Sequence, residues 1–225
     1  MTAPRLPVLS LLETRVLGVL SEKQHTVPDT YPLSLNALVA GCNQKTSRHP
    51  IIEATEAEVQ AAIDSLKGPA LVVESSGGRV TRTAHNMGRA LRLPAQSIAL
   101  LTALMLRGPQ TAGELHINCE RLHKFADLSA VEGFLYELAE RPEGAMAVEL
   151  PRQPGARENR WAHLLSGAPA IEETLPTAPA ANEPAAGIAA SEIAALKANV
   201  ARLEEEVDAL KREMGKLCAE LGVSG

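Results

Sequence analysis

Aromatic residues are scarce in this chain: Trp, Tyr and Phe make up only 2% of its 225 residues. Any core must therefore be filled by Leu, Val, Ile and Ala. Cysteine is rarer still, with Cys42, Cys119 and Cys218 scattered and no CxxC spacing. That pattern builds neither a disulfide framework nor a thiolate metal site. With no export signal to suggest otherwise, the expectation is reduced thiols in a cytoplasmic protein, two of them packed in cores. No apolar run approaches membrane-spanning length, which argues against a membrane partner. Excess positive charge is also missing. Residues 1–165 carry 17 Lys+Arg against 17 Asp+Glu, and the last 60 carry 5 against 10, which accounts for the net charge of −5. A neutral body is not the strongly basic one of a general nucleic-acid binder. Catalytic signatures are lacking too. The six histidines show no HExxH spacing, and there is neither a Walker loop nor a Gly-x-Ser-x-Gly elbow. Cys42, beside Asn43 and Gln44, lies on an apolar helical face and reads as packing, not as a nucleophile. The expectation is a protein that is not an enzyme, with no catalytic residues, no cofactor and no metal.

What is present is a unit that occurs twice, over about residues 9–85 and 94–165: three short amphipathic helices, then a strand–turn–strand ribbon. Ser10-x-x-Glu13, Thr55-x-x-Glu58, Thr111-x-x-Glu114 and Ser129-x-x-Glu132 have the capping-box pattern that marks helix starts. Apolar faces follow at helical spacing. They are Leu9, Leu12, Val16 and Val19; Leu35, Leu38, Val39 and Cys42; and Val59, Ile63 and Leu66. The second unit repeats them as Ile98, Leu101 and Met105; Leu115, Cys119 and Leu122; and Val131, Phe134, Leu135 and Leu138. The first ribbon is expected to turn tightly at Ser75-Ser76-Gly77-Gly78, since adjacent glycines supply positive φ angles. The second has a longer loop with Pro154-Gly155 between Ala147–Leu150 and Arg160–Leu164. This layout is that of a winged helix.

The stretches Tyr31-Pro32-Leu33-Ser34-Leu35-Asn36, Cys42-Asn43-Gln44-Lys45-Thr46-Ser47-Arg48 and Leu106-Arg107-Gly108-Pro109-Gln110-Thr111-Ala112-Gly113-Glu114-Leu115 carry a resemblance. Together with the run from Pro154 to Gly167, they resemble the YceH-like family of bacterial tandem winged-helix proteins. The likeness covers roughly residues 8–167. It implies the doubled fold, a C-terminal coiled segment and a cytoplasmic setting, and it names no activity.

The expected fold class is mainly α with small β wings (α+β), in four parts. Residues 1–88 and 89–167 are the two winged-helix domains, 168–190 an Ala/Pro-rich flexible linker, and 191–222 a coiled-coil helix. In the last, Ile193, Leu196, Val200, Leu203, Val207, Leu210, Met214, Leu217 and Leu221 alternate in steps of three and four, a heptad seam with Leu at every d. Glu192 and Glu206 at g face Lys197 and Lys211 at e in a parallel pair, so 191–221 is expected to form a homodimer.

For double-stranded DNA the charge map is uneven. The third helices hold Glu56, Glu58, Asp64 and a single Lys67 in the first unit, and Asp127, Glu132, Glu137 and Glu140 in the second. Carboxylates there argue against reading of bases by either helix, and offer a protein partner an acidic surface. Between Ser75 and Gly113 there is no Asp or Glu, yet Arg79, Arg82, Arg89, Arg92 and Arg107 fall there. Arg79, Arg82, Arg89 and Arg92 are thus candidate contacts to the DNA backbone, joined by Asn43, Gln44, Lys45 and Arg48 in the turn after the second helix. Two functions remain: a DNA-associated regulatory dimer that holds the backbone, or a protein-interaction scaffold whose winged helices dock a partner without DNA.

Overall fold

Capping decides where most helices of this chain begin. The computed structural model describes residues 8–76, 80–153 and 155–169. Within them the chain is an α+β protein of seven helices and two small antiparallel sheets. Helices α1 (Leu11–Thr26), α2 (Leu35–Cys42) and α3 (Glu56–Lys67) precede the hairpin of β2 (Val72–Ser75) and β3 (Arg82–His85). A two-residue strand, β1 (Leu33–Ser34), pairs with β3 and gives the order β1-β3-β2. After the single turn α4 (Met87–Ala90) the scheme recurs: α5 (Ala95–Arg107), α6 (Ala112–Asn118) and α7 (Leu128–Ala139), then β4 (Ala147–Glu149) paired with β5 (Trp161–His163). Even the extra strand has its counterpart. Gln110, just before α6, exchanges two backbone hydrogen bonds with Trp161 (3.1 and 2.7 Å), where β1 stands in the first half.

Three of the four expected capping boxes form, at Ser10/Glu13, Thr55/Glu58 and Thr111/Glu114. The fourth does not. The carboxylate of Asp127 accepts from Ala130 N at 2.8 Å, so α7 starts at Leu128 and Ser129 lies inside it. A carboxylate at the positive end of a helix gains from the dipole as well as from the hydrogen bond, and outcompetes the serine two residues on. The first ribbon also differs from expectation. Ser75 belongs to β2 and pairs with Arg82, so the described ladder runs one residue into the expected turn, and residues 77–79 lie outside the described residues. The linker 168–190 beyond residue 169 and the whole coil 191–222 lie outside the described residues.

The core runs through both halves. Helices α1 and α5 pack so closely that a Cβ on Gly18 would fall 2.8 Å from Leu106 Cδ2. Between them, the buried Thr102 hydroxyl donates to Ser21 Oγ at 2.7 Å, which satisfies a polar pair that water cannot reach. Leu9 N donates to Leu165 O at 2.8 Å and fastens the start of the first half beside the end of the second. Among the described residues no helix is long and apolar enough to cross a membrane.

Candidate nucleic-acid interface

The last carbonyls of a helix have no partner within the helix, and those of α2 are met by arginines. Arg48 Nε donates to Gly41 O (3.2 Å), and Arg15 Nη1 from α1 donates to Cys42 O (3.2 Å). Arg15 Nη2 also donates to Pro50 O at 2.6 Å, drawing the chain after α2 back toward α1. Arg48 is paired with Glu22, donating to its two oxygens at 3.1 and 2.6 Å. Arg15 is 0% exposed and has no carboxylate partner among the described residues. Burial and the neighbouring Arg48 cation lower its pKa, yet a guanidinium stays charged. Burial pushes the Glu22 carboxyl up, but the hydrogen bond and charge of Arg48, aided by Lys23, hold it below the usual range.

This changes the standing of the four candidates in the turn. Arg48 is buried, 6% exposed, and committed to Glu22 and Gly41; it is structural, not a surface contact for DNA. Asn43 spends both ends of its amide on Ala54, at 2.8 Å each. Gln44 accepts from Lys23 (3.4 Å) and donates to Thr46 O (3.0 Å). Lys45 alone is exposed and without a partner among the described residues. The turn gains a cation the sequence did not place there: Arg107, closing α5, donates to Ser47 Oγ at 2.9 Å. His49 N donates to Leu106 O at 2.7 Å, so the turn rests on the end of α5.

The second basic segment is the edge formed by β3 and α4. Arg82, Arg89 and Arg92 are all exposed, and none has a carboxylate partner among the described residues. Arg82 Nη1 donates to Thr30 O (3.1 Å) and Pro32 O (2.8 Å), which aligns its guanidinium along the start of β1. Arg141 joins from the second half by donating to Leu91 O at 3.0 Å. Non-glycine residues with left-handed φ are uncommon. Three occur among the described residues, and two of them, Ser47 (φ 58°) and Arg92 (φ 53°), sit in the two basic segments. Arg79 lies outside the described residues.

The third helices differ from each other. On α3, Asp64 is not an isolated charge: Lys67 meets it at 2.7 Å and Glu74 at 2.6 Å. On α7, Glu132, Glu137 and Glu140 are exposed with no cationic partner among the described residues, beside the exposed Leu128 and Tyr136. In the second hairpin, Arg160 is held by Glu114 at 3.0 Å, while Arg152 and Arg157 are exposed.

The remaining titratable groups argue for packing. Cys42, the last residue of α2, and Cys119, the first after α6, are both buried, and burial pushes both thiols up to about 12. A thiolate nucleophile needs the opposite shift. His85 and His163 each end the second strand of their hairpin. Burial, with the His25 charge added for His85, lowers both to about 4. No three His, Cys, Asp or Glu side chains gather as a metal site among the described residues.

The structure thus places Arg107 against Ser47, in the same turn as Lys45, and Arg82 against the start of β1, while removing Asn43 and Arg48 from the surface set. Reading the sequence missed Arg15, Lys23 and Arg107 as neighbours of the turn, since each approaches it from another helix. The one available signal was Arg15 itself, a charge in the middle of an apolar helical run.

Comparison with known proteins finds relatives along nearly the whole chain. A UPF0502 protein of Dechloromonas aromatica is 62% identical over 205 residues, covering 91% of this chain and 93% of the relative. UPF0502 proteins of Methylibium petroleiphilum and Burkholderia multivorans are 59% and 57% identical, covering 97% and 96% of this chain and 92% and 90% of their own lengths. The family described as "Protein of unknown function, DUF480" matches residues 9–156, and the chain belongs to it.

Proposed function

We propose that this member of the family is a non-enzymatic, cytoplasmic, DNA-associated regulatory protein built as two tandem winged helices, and a homodimer through residues 191–221. It holds the DNA backbone by the β3–α4 edge of its first half rather than by its third helices. The observation that carries this is the exposed trio Arg82, Arg89 and Arg92, in a stretch without any acidic residue. Guanidiniums without a carboxylate partner on an exposed edge are suited to phosphates, and counterion release makes such binding salt-dependent. The twice-repeated order of three helices and a hairpin supports the winged-helix assignment, in which the hairpin touches backbone. Arg79, outside the described residues, extends the same acid-free stretch in sequence.

A second reading has its own support. The exposed face of α7 combines Glu132, Glu137 and Glu140 with Leu128 and Tyr136, a surface suited to a basic protein partner and hostile to phosphates. In that reading the protein is a docking scaffold. Binding of the full chain to a random-sequence duplex across a salt series separates the two. DNA association gives an affinity that falls steeply with salt and is blunted in an Arg82→Ala/Arg89→Ala/Arg92→Ala variant. Absence of binding at low salt would leave only the docking scaffold.

A further inference from the structure

The turn after α2 carries more positive charge than capping a helix requires. We infer that residues 43–50 form a built anion site that takes a phosphate group, with cations supplied from both halves. Charge is the first support. Arg15 and Lys23 from α1, Lys45 and Arg48 from the turn itself, and Arg107 from α5 all belong to it; those contacting the turn do so at 2.6 to 3.4 Å. Glu22 is the one carboxylate in contact with the group among the described residues. Five cations against one anion leave a local excess of four in a protein body whose total charge is balanced, and such a field concentrates anions.

The backbone is the second, independent support. Flanking amides are bonded: Asn43 N to Val39 O at 3.0 Å and His49 N to Leu106 O at 2.7 Å. The amides of Gln44, Lys45, Thr46, Ser47 and Arg48 have no acceptor among the described residues. Five successive N–H groups without a protein acceptor, at a turn where Ser47 adopts a left-handed φ of 58°, leave the backbone free to donate to an anion. Arg15 donates to Cys42 O and Pro50 O, and Arg48 to Gly41 O, Ser47 O and Glu22, so they supply field while covering the negative end of α2. Contact falls to Lys45, Arg107 and the free amides. A phosphate fits this set because it accepts several N–H bonds at once and is attracted by every charge present.

The phosphate can belong to a DNA backbone or to a free phosphorylated molecule. The site stands whether or not the proposed DNA association holds. The test uses the full chain in two arms. In the first, the thermal midpoint is followed against inorganic phosphate and against sodium chloride at equal ionic strength. Phosphate at about ten times its Kd should raise the midpoint by roughly 3 °C more than chloride does. Most of that rise should vanish in Lys45→Gln, whose exposed position leaves the fold intact, and in Arg107→Gln. In the second arm the same variants meet a random-sequence duplex. A backbone phosphate in the site predicts a several-fold loss of affinity and a salt slope lower by about one in Lys45→Gln. A free phosphorylated molecule predicts unchanged duplex affinity while the phosphate shift is lost. A phosphate shift in a protein that binds no duplex supports the site and overturns the DNA reading alone. The inference falls if both variants leave duplex affinity unchanged and phosphate either matches chloride or stabilises the variants as much as the parent chain.

Discussion

The two halves of the molecule share an order of elements but hold the turn after their second helix by different chemistry. In the first half, residues 43–50 are fixed by Arg15, Arg48 and Glu22 through buried charge and backbone carbonyls. In the second, the matching turn is fixed by Phe125, 6% exposed, which meets His123 at 4.8 Å and Phe134 at 6.1 Å in edge-on contacts. Apolar packing would have sufficed for stability, since buried ion pairs seldom outperform well-packed apolar groups. The first half holds this turn with charge, and its β3–α4 edge carries three exposed arginines without a carboxylate partner among the described residues. The difference is one of surface chemistry within a repeated order of elements: on the reading proposed above, the first half would take anions, while the other offers an acidic, partly apolar α7.

Breaking either turn should cost most. Arg48→Met strands Glu22 and exposes the carbonyl of Gly41 to loss of its partner, at about 3 kcal/mol. Phe125→Ala opens a cavity of similar cost, about 3 kcal/mol. Denaturant unfolding of both variants checks whether charge and aromatics hold equivalent turns. A small loss for Arg48→Met would mean that the first turn is held by something other than the ion pair.

Acid should act on both halves alike. His85 and His163 have folded pKa values lowered to about 4 from 6.5, so the unfolded chain takes up their protons first as pH falls. Their contribution to stability is intact above about pH 6.5 and is lost progressively down to about pH 4. Glu22, held low by Arg48, adds a further loss only as pH drops through and below the ordinary carboxylate range. Unfolding measured across pH 4–8 should flatten in part for His85→Gln and in part for His163→Gln. A change in only one would show that the hairpins are not equivalent.

The halves should also be coupled through α1 and α5. Gly18→Ala drives a Cβ to 2.8 Å from Leu106 Cδ2, and overpacking there should cost roughly 1–3 kcal/mol. Unfolding should remain a single transition, since the core is shared; two separate transitions would show halves that fold independently. The smallest effect belongs to the exposed pair of Lys67 with Asp64 and Glu74. Lys67→Ala should change stability by less than about 1 kcal/mol.

Much of this was legible in the chain alone. Three capping boxes and the apolar spacing of Val59, Ile63 and Leu66, or of Val131, Leu135 and Leu138, located the helices because these signals are local. The fourth start was missed because Asp127 competes with Ser129 for the same cap, a choice decided by electrostatics at the helix end. Strand β1 is two residues long and exists only because β3 passes beside it, so no local pattern announces it. The site was half legible. The acid-free stretch gave Arg82, Arg89 and Arg92, which are exposed. Arg48 looked equally available, and only Glu22, twenty-six positions away, shows that it is not.

The central claim is that the first half alone carries the phosphate-binding edge. Duplex affinity of the full chain over a salt series tests it most directly, with Arg82→Ala/Arg89→Ala/Arg92→Ala set against Arg152→Ala/Arg157→Ala in the second half. The account predicts that the first variant loses affinity several-fold and its salt slope falls by about three, while the second stays near the parent chain. Equal losses in both, or a larger loss in the second, would contradict it.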